Sequence, residues 1–183
     1  GDKIRIVSCS NMIALKRVEL IIEILKLIKL DIEWVHFGDG ILLEDIKEKA
    51  KELPDNIESV FMGSKTNREV LSYYQSTEID LFMNLSETEG LPVSIMEAIS
   101  FGIPIIATNV GGTFEIVCNQ TGWLINKEFT SGLVVSIIEE NKEKYRIKEF
   151  RENIREYWNE NFKASKNYTD FYYNLAKQWG EKY

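Results

Sequence analysis

The sequence predicts an α/β fold, a Rossmann-like parallel sheet flanked by helices, on three observations. Short runs rich in β-branched and aromatic residues alternate with longer segments of helical period, which is the pattern of βαβ units. One such run, residues 79–85, is apolar at nearly every position, as suits a strand buried on both faces. With 183 residues and 44% hydrophobic content the chain can bury one substantial core.

Taken in order, residues 4–8 are the first strand and 14–29 the first helix. In that helix Lys16, Glu19, Glu23 and Lys26 trace a narrow polar stripe on an otherwise apolar cylinder. Residues 32–37 are the second strand, ending at Gly38-Asp39-Gly40. A polar helix over 43–52 leads through Pro54 to a third strand, 57–62, closed by Gly63. Residues 67–76 form the next helix and 79–85 the fourth strand. The corner Gly90-Leu91-Pro92 turns the chain into a helix from about Ser94. Short strands at 103–108 and 122–125 complete the sheet, and the chain is helical from Thr130 on. Near the end, Tyr168, Phe171, Tyr172, Leu175 and Trp179 recur at helical spacing, as a core-facing stripe would. No repeat, low-complexity tract or linker divides the sequence, so a single domain over 1–183 is expected, with about 130–183 as its helical C-terminal part.

Composition narrows the function classes. A formal net charge of −7 argues against a nucleic-acid surface, which needs clustered Lys and Arg. There is neither an apolar run of roughly 18 residues nor a charged-then-apolar leader, so no membrane span or secretory signal is expected, and a cytoplasmic setting fits. Cys9 and Cys118 stand apart and read as small buried hydrophobes. His36, the only histidine, sits inside an apolar strand and reads as a satisfied core residue. No Asp-x-Asp motif or His/Cys/carboxylate cluster has metal-ligand spacing, so no metal is expected.

The chemistry concentrates at Glu89 and Glu97, which bracket Gly90-Leu91-Pro92-Val93-Ser94-Ile95-Met96. Glu89 falls in the loop at a strand's carboxyl end, where open α/β sheets bind ligands, and Glu97 in the first turn of the next helix. Backbone N–H groups of residues 90–94, with the helix dipole behind them, make an anion seat suited to a diphosphate. Ser94-Ile95-Met96-Glu97 also fits a capping box, in which Glu97 would only bond back to the Ser94 backbone. That alternative leaves Glu89 and the Gly-Leu-Pro corner unexplained. Gly111-Gly112 could let main chain approach a ligand, or could serve a loop that needs positive φ.

The strings "EGLPVSIMEA", "FGIPIIAT" and "NVGG..E" within residues 86–115 closely resemble the signature of retaining glycosyltransferases of glycosyltransferase family 4, and a weaker likeness extends over nearly the whole chain. Those enzymes have the GT-B fold, two Rossmann-like domains with a cleft between them. The resemblance implies that this chain is the C-terminal, donor-binding half and that the N-terminal acceptor domain is absent from it. A complete enzyme would need about twice the length. The opening Gly1-Asp2-Lys3, without an initiator Met, agrees with an excised piece carrying a tag remnant at Gly1.

By the same resemblance Glu97 bonds the ribose hydroxyls and Glu89 contacts the donor sugar near its anomeric carbon. Backbone at Gly90, Leu91, Pro92 and Val93 meets sugar and diphosphate, and Gly63 and Ser64 lie near the base. Lys16 counters charge on the leaving phosphates, so Glu89 and Lys16 are the candidate catalytic pair. The family usually carries an Arg where this chain has Asn11, which also faces the phosphates; either Arg17 substitutes or the donor is held differently. The implied donor is a UDP- or GDP-sugar used as substrate, with no cofactor and no metal. The implied function is transfer of a hexosyl or hexosaminyl group in bacterial surface polysaccharide or glycolipid synthesis. This domain alone is expected to be inactive, its partners being the nucleotide sugar and the N-terminal domain, with any peripheral membrane contact made by that missing half. The alternatives are one half of an epimerase-type sugar-nucleotide enzyme, a group that lacks the "EGLPVSIMEA" string, and a non-catalytic nucleotide-sugar-binding module.

Overall fold

A computed structural model describes residues 3–163. Six strands, β1 (Ile4–Cys9), β2 (Ile32–Phe37), β3 (Ile57–Gly63), β4 (Leu81–Asn84), β5 (Ile105–Thr108) and β6 (Gly122–Ile125), form one sheet in the order β3-β2-β1-β4-β5-β6. Every neighbouring pair is parallel. Helices α1 (Glu19–Leu25), α2 (Leu43–Ala50), α3 (Asn67–Ser76), α4 (Val93–Ser100), α5 (Ser131–Glu140) and α6 (Lys148–Asn161) flank it.

The apolar strands are apolar because both faces are covered. Along β4, Leu81 and Met83 join one core with residues of α1, α2 and α5, while Phe82 between them joins the other with residues of α3, α4 and α6. Ile106 and its neighbours Ile105 and Ala107 alternate in the same way along β5, as the two-residue period of a strand requires. Fully buried Trp34, Phe37 and Phe82 anchor the layers, each contributing about 1.5–3 kcal/mol of burial. From β1 the chain winds outward through β2 and β3, then returns to β4 on the other side of β1. The loops after β1 and β4 therefore diverge, and the crevice between them opens at the strands' carboxyl ends.

Several elements differ from the sequence expectation. The helix expected over 14–29 is interrupted: a 3₁₀ turn spans Ala14–Lys16, Arg17 adopts the left-handed conformation (φ 46°, ψ 41°), and α1 begins at Glu19. Tertiary bonds hold that break, because the Arg17 guanidinium donates to the carbonyls of Leu85 (2.7 Å), Lys127 (3.3 Å) and Ser86 (3.4 Å). β4 is shorter than 79–85, because Asp80 precedes the strand and binds the Arg5 N–H and the Arg146 guanidinium. β5 starts at Ile105, after Pro104, which has no N–H for the ladder. Beyond Thr130 come α5, a 3₁₀ turn at Lys144–Arg146, and α6. The aromatic stripe from Tyr168 to Trp179 lies outside the described residues.

His36 is the satisfied core residue expected. Trp34 Nε1 donates to Ser8 Oγ (2.9 Å), and His36 Nδ1 and Nε2 lie 2.8 Å from Ser8 Oγ and 3.1 Å from the Ser10 carbonyl. Cys9 and Cys118 are free thiols. Among the described residues no helix is long and apolar enough to cross a membrane, and no group of three or more His, Cys, Asp or Glu could hold a metal ion.

Candidate functional site

Two loops meet at the crevice between β1 and β4. The loop after β1 is fixed by backbone bonds from Ser10 N–H to the Phe37 carbonyl (3.0 Å) and from Met12 N–H to the Asp39 carbonyl (2.9 Å). Gly38 makes this contact possible, since a β-carbon there would lie 1.9 Å from the Ser10 carbonyl oxygen. The Gly38-Asp39-Gly40 turn thus supports the loop carrying Asn11 and Lys16. The loop after β4 carries Glu89 and is tied to it by the Glu87 N–H on the Leu15 carbonyl (2.8 Å).

Lys16 and Glu89 close the crevice as an ion pair, Nζ to Oε1 at 2.7 Å. The same Oε1 accepts from Ser86 Oγ (2.6 Å) and Asn84 Nδ2 (3.1 Å). Burial pushes the Glu89 carboxyl up, but the donors Lys16, Ser86 and Asn84 outweigh it and hold the group below the ordinary carboxylate range. One oxygen is therefore saturated, while Oε2 has no hydrogen bond among the described residues. Lys16 keeps two of its three donors for another acceptor.

The capping alternative for Glu97 does not form. α4 starts at Val93 with Pro92 as its N-cap and no side-chain cap bond, because proline's preset φ lets the helix begin before Ser94. Ser94 lies inside the helix, and Glu97 is its fifth residue, in the second turn and not the first. The Val93 and Ser94 N–H groups have no partner among the described residues, nor do those of Gly90 and Leu91. Glu97 Oε1 accepts from Asn67 Nδ2 at the start of α3. Burial raises its pKa, with the Asn67 bond working the other way. Nothing in the local pattern singles out Asn67; the missing signal is a contact spanning 30 positions.

The other candidate residues lie at the same edge. Gly63 has φ 67°, and a β-carbon there would meet nothing within 4 Å, so the Gly63-Ser64 loop borders open space. Asn11 is exposed and its side chain makes no hydrogen bond among the described residues. Arg17, the alternative to the missing Arg, directs three of its five donors to the Leu85, Ser86 and Lys127 carbonyls and lies over the Phe129 ring at 5.7 Å. Gly112 N–H donates to the Gly90 carbonyl (2.8 Å), which braces the Glu89 loop from behind.

A cavity of about 360 Å³ lies at the opposite edge of the sheet, between the end of α3 and α6. Its arginines serve structure. Arg146 binds Asp80 and the Lys3 carbonyl, Arg151 the Ile79 and Tyr145 carbonyls, and Arg155 the Phe101 carbonyl. The hollow at the carboxyl edge, lined by Ser8, Cys9, Ser10, Lys16, Asn84 and Ser86, encloses only about 10 Å³.

The O-antigen biosynthesis glycosyltransferase WbnH of Escherichia coli is 35% identical over 114 residues, covering 62% of this chain and 31% of that protein. N-acetyl-alpha-D-glucosaminyl L-malate synthase of Bacillus anthracis is 28% identical over 179 residues, covering 94% and 46%. The chain thus spans about a third to a half of the length of these relatives. Among solved structures, Anabaena Alr3699/HepE in complex with UDP superposes with a TM-score of 0.76 at 16% identity, over 96% of this chain and 49% of that one. The catalytic domain of cholesterol-alpha-glucosyltransferase from Helicobacter pylori gives 0.70 at 20%, over 85% and 96%. The fold is that of GT-B glycosyltransferase structures. Residues 1–161 match the family described as glycosyl transferases group 1, and the chain belongs to that family.

Proposed function

We propose that this chain is the donor-binding, C-terminal half of a retaining, metal-independent glycosyltransferase of family 4 that transfers a hexosyl or hexosaminyl group from a UDP- or GDP-sugar. The observation that carries the reading is the Lys16–Glu89 pair beside the uncapped start of α4. Unpaired N–H groups at a helix N-terminus attract a diphosphate, and the two spare donors of Lys16 can offset charge developing on it as it leaves. Glu89 Oε2 then faces hydroxyls of the donor sugar, and Glu97 the ribose. With Asn11 in place of the Arg, the diphosphate rests on one lysine and on backbone. The acceptor is placed by the other half, so this half alone transfers nothing. The family membership, the polysaccharide-related names of relatives and the UDP bound to a structural neighbour support a role in bacterial surface polysaccharide or glycolipid synthesis in the cytoplasm.

Thermal unfolding of this chain with UDP, GDP and ADP tests the reading. A ligand at 100 times its Kd adds about 2.7 kcal/mol of stability, so one nucleotide should shift the transition clearly and identify the base. No shift with any of them at millimolar concentration would sink it.

A further inference from the structure

Glu97 is a half-buried carboxylate with one bonded oxygen. Oε1 accepts from Asn67 Nδ2 at 2.5 Å, and Oε2 has no donor among the described residues. This repeats the arrangement at Glu89, where one oxygen is held by protein and the other is left open. A carboxylate accepts only, so the amide must turn its NH₂ toward Glu97, which fixes the Asn67 rotamer as well as the carboxyl plane.

The residues around Asn67 hold it in place without using its side chain. The N-cap of α3 is Thr66, whose Oγ1 accepts from the Glu69 N–H (3.3 Å), while Glu69 Oε2 accepts from the Thr66 N–H (2.8 Å). That capping box satisfies the helix start and leaves the Asn67 amide outside the cap. Val70 and Tyr74 anchor α3 in the core, and Ile95, Ala98 and Ile99 anchor α4. The bond therefore joins two rigid elements, the condition under which a supporting side chain can set the aim of a binding group.

We propose that Asn67 is a positioning residue which orients Glu97 toward the ribose hydroxyls of a bound nucleoside diphosphate and thereby sets the preference for ribose. The inference rests on the nucleotide-binding reading given above. A plain tie between the two side chains would give α3 and α4 a little stability and no ribose selectivity. The pH dependence separates the two as well. The groups facing Glu97 are Asn67 and Tyr74 from α3 and Cys9 from β1. Burial holds the Tyr74 phenol high and pushes the Cys9 thiol up to about 11, so both stay neutral at pH 5–8. Burial holds Glu97 above its ordinary value, and the Asn67 bond is what opposes it. Losing that bond moves protonation of Glu97 to higher pH.

The test is calorimetric titration of the chain and its Asn67→Ala, Glu97→Gln and double variants. The probes are UDP, GDP and ADP, followed by the 2′,3′-dideoxy analogue of whichever binds, at pH 5–8. Alanine at the exposed first position of α3 leaves the capping box intact, so the variant should fold. We expect Asn67→Ala to lose roughly tenfold in affinity for the ribonucleotide, to bind the dideoxy analogue almost as the parent does, and to weaken at higher pH than the parent. In the Glu97→Gln background it should add little. An unchanged ratio of ribo to dideoxy affinity, or fully additive losses, overturns the role of Asn67 while the nucleotide site stands. If the parent binds no nucleotide, both fail.

Discussion

The α-carbon of Gly111 lies so close to the Glu89 carbonyl that a β-carbon at Gly111 would sit 1.7 Å from that oxygen. Gly111 also has φ 51°. Both facts make the second glycine loop a brace for the loop that carries Glu89. Of the two sequence readings of Gly111, positive φ therefore holds, joined to a close approach between main chains.

Gly111→Ala should accordingly cost about 2 kcal/mol or more, from the left-handed backbone and the forced shift of the Glu89 loop. Nucleotide affinity should fall with it. The control is Gly132→Ala in the first turn of α5, where an added β-carbon meets nothing within 4 Å; there alanine should add up to about 1 kcal/mol. Urea unfolding of the two variants decides it, and equal effects would remove the brace.

Much of this was legible because the local pattern and the tertiary structure agree. Residues 67–76 and 122–125 fold as the helix and strand their patterns predict, and Glu89 lands at a strand's carboxyl end by the α/β pattern alone. Legibility ends where a distant partner decides. Arg17 breaks a helical run because three carbonyls far along the chain hold its guanidinium. Pro92 begins α4 before the capping box can form, two competing local signals that spacing does not rank. Asn67 carries no mark of its bond to Glu97.

Arg17→Gly tests whether that break is bought by tertiary bonds. Glycine relieves a left-handed residue by about 1 kcal/mol, but a bond from a charged donor to a carbonyl contributes about 1.5–3 kcal/mol. The variant should be less stable than the parent by about 1 kcal/mol, and Arg17→Ala, which keeps the strain and loses the bonds, less stable still. Chemical denaturation gives the order. Should Arg17→Gly keep its stability and lose only nucleotide affinity, Arg17 would be a donor contact after all.

For the ion pair at the crevice, Lys16→Met should lower stability at pH 7 by about 1–2 kcal/mol and weaken nucleotide binding at least tenfold. The pH dependence has a definite sign. The folded pKa of Glu89 lies below its unfolded value, so its contribution is present above the unfolded pKa, near 4.5, and is lost as pH falls through the lower folded value. The gap between parent and variant should therefore shrink below pH 4.5, as Glu89 becomes neutral in both. A gap independent of pH down to 3 would mean that Lys16 stabilises through packing.

His36 titrates in a different window. Burial lowers its pKa from 6.5 to about 4, partly opposed by the Ser10 carbonyl. In the neutral ring Ser8 Oγ accepts from Trp34 and donates to Nδ1, while Nε2–H donates to the Ser10 carbonyl. Protonation turns Nδ1 into a donor, so the Ser8 hydroxyl must accept from both Trp34 and His36 and its own hydrogen loses the Nδ1 acceptor. A folded pKa below the unfolded one means the folded state resists the proton. Stability should thus be full above pH 6.5 and fall by up to about 3 kcal/mol as pH drops to 4. Since the chain has one histidine, its imidazole proton resonances report the group directly. They should stay at neutral-ring positions down to about pH 5, and His36→Phe should flatten the stability curve between 6.5 and 4 while leaving the Glu89 loss below 4.5. Titration of the folded-state imidazole near 6.5 would show that the ring is not sealed in the bond network beneath the Asn11–Lys16 loop.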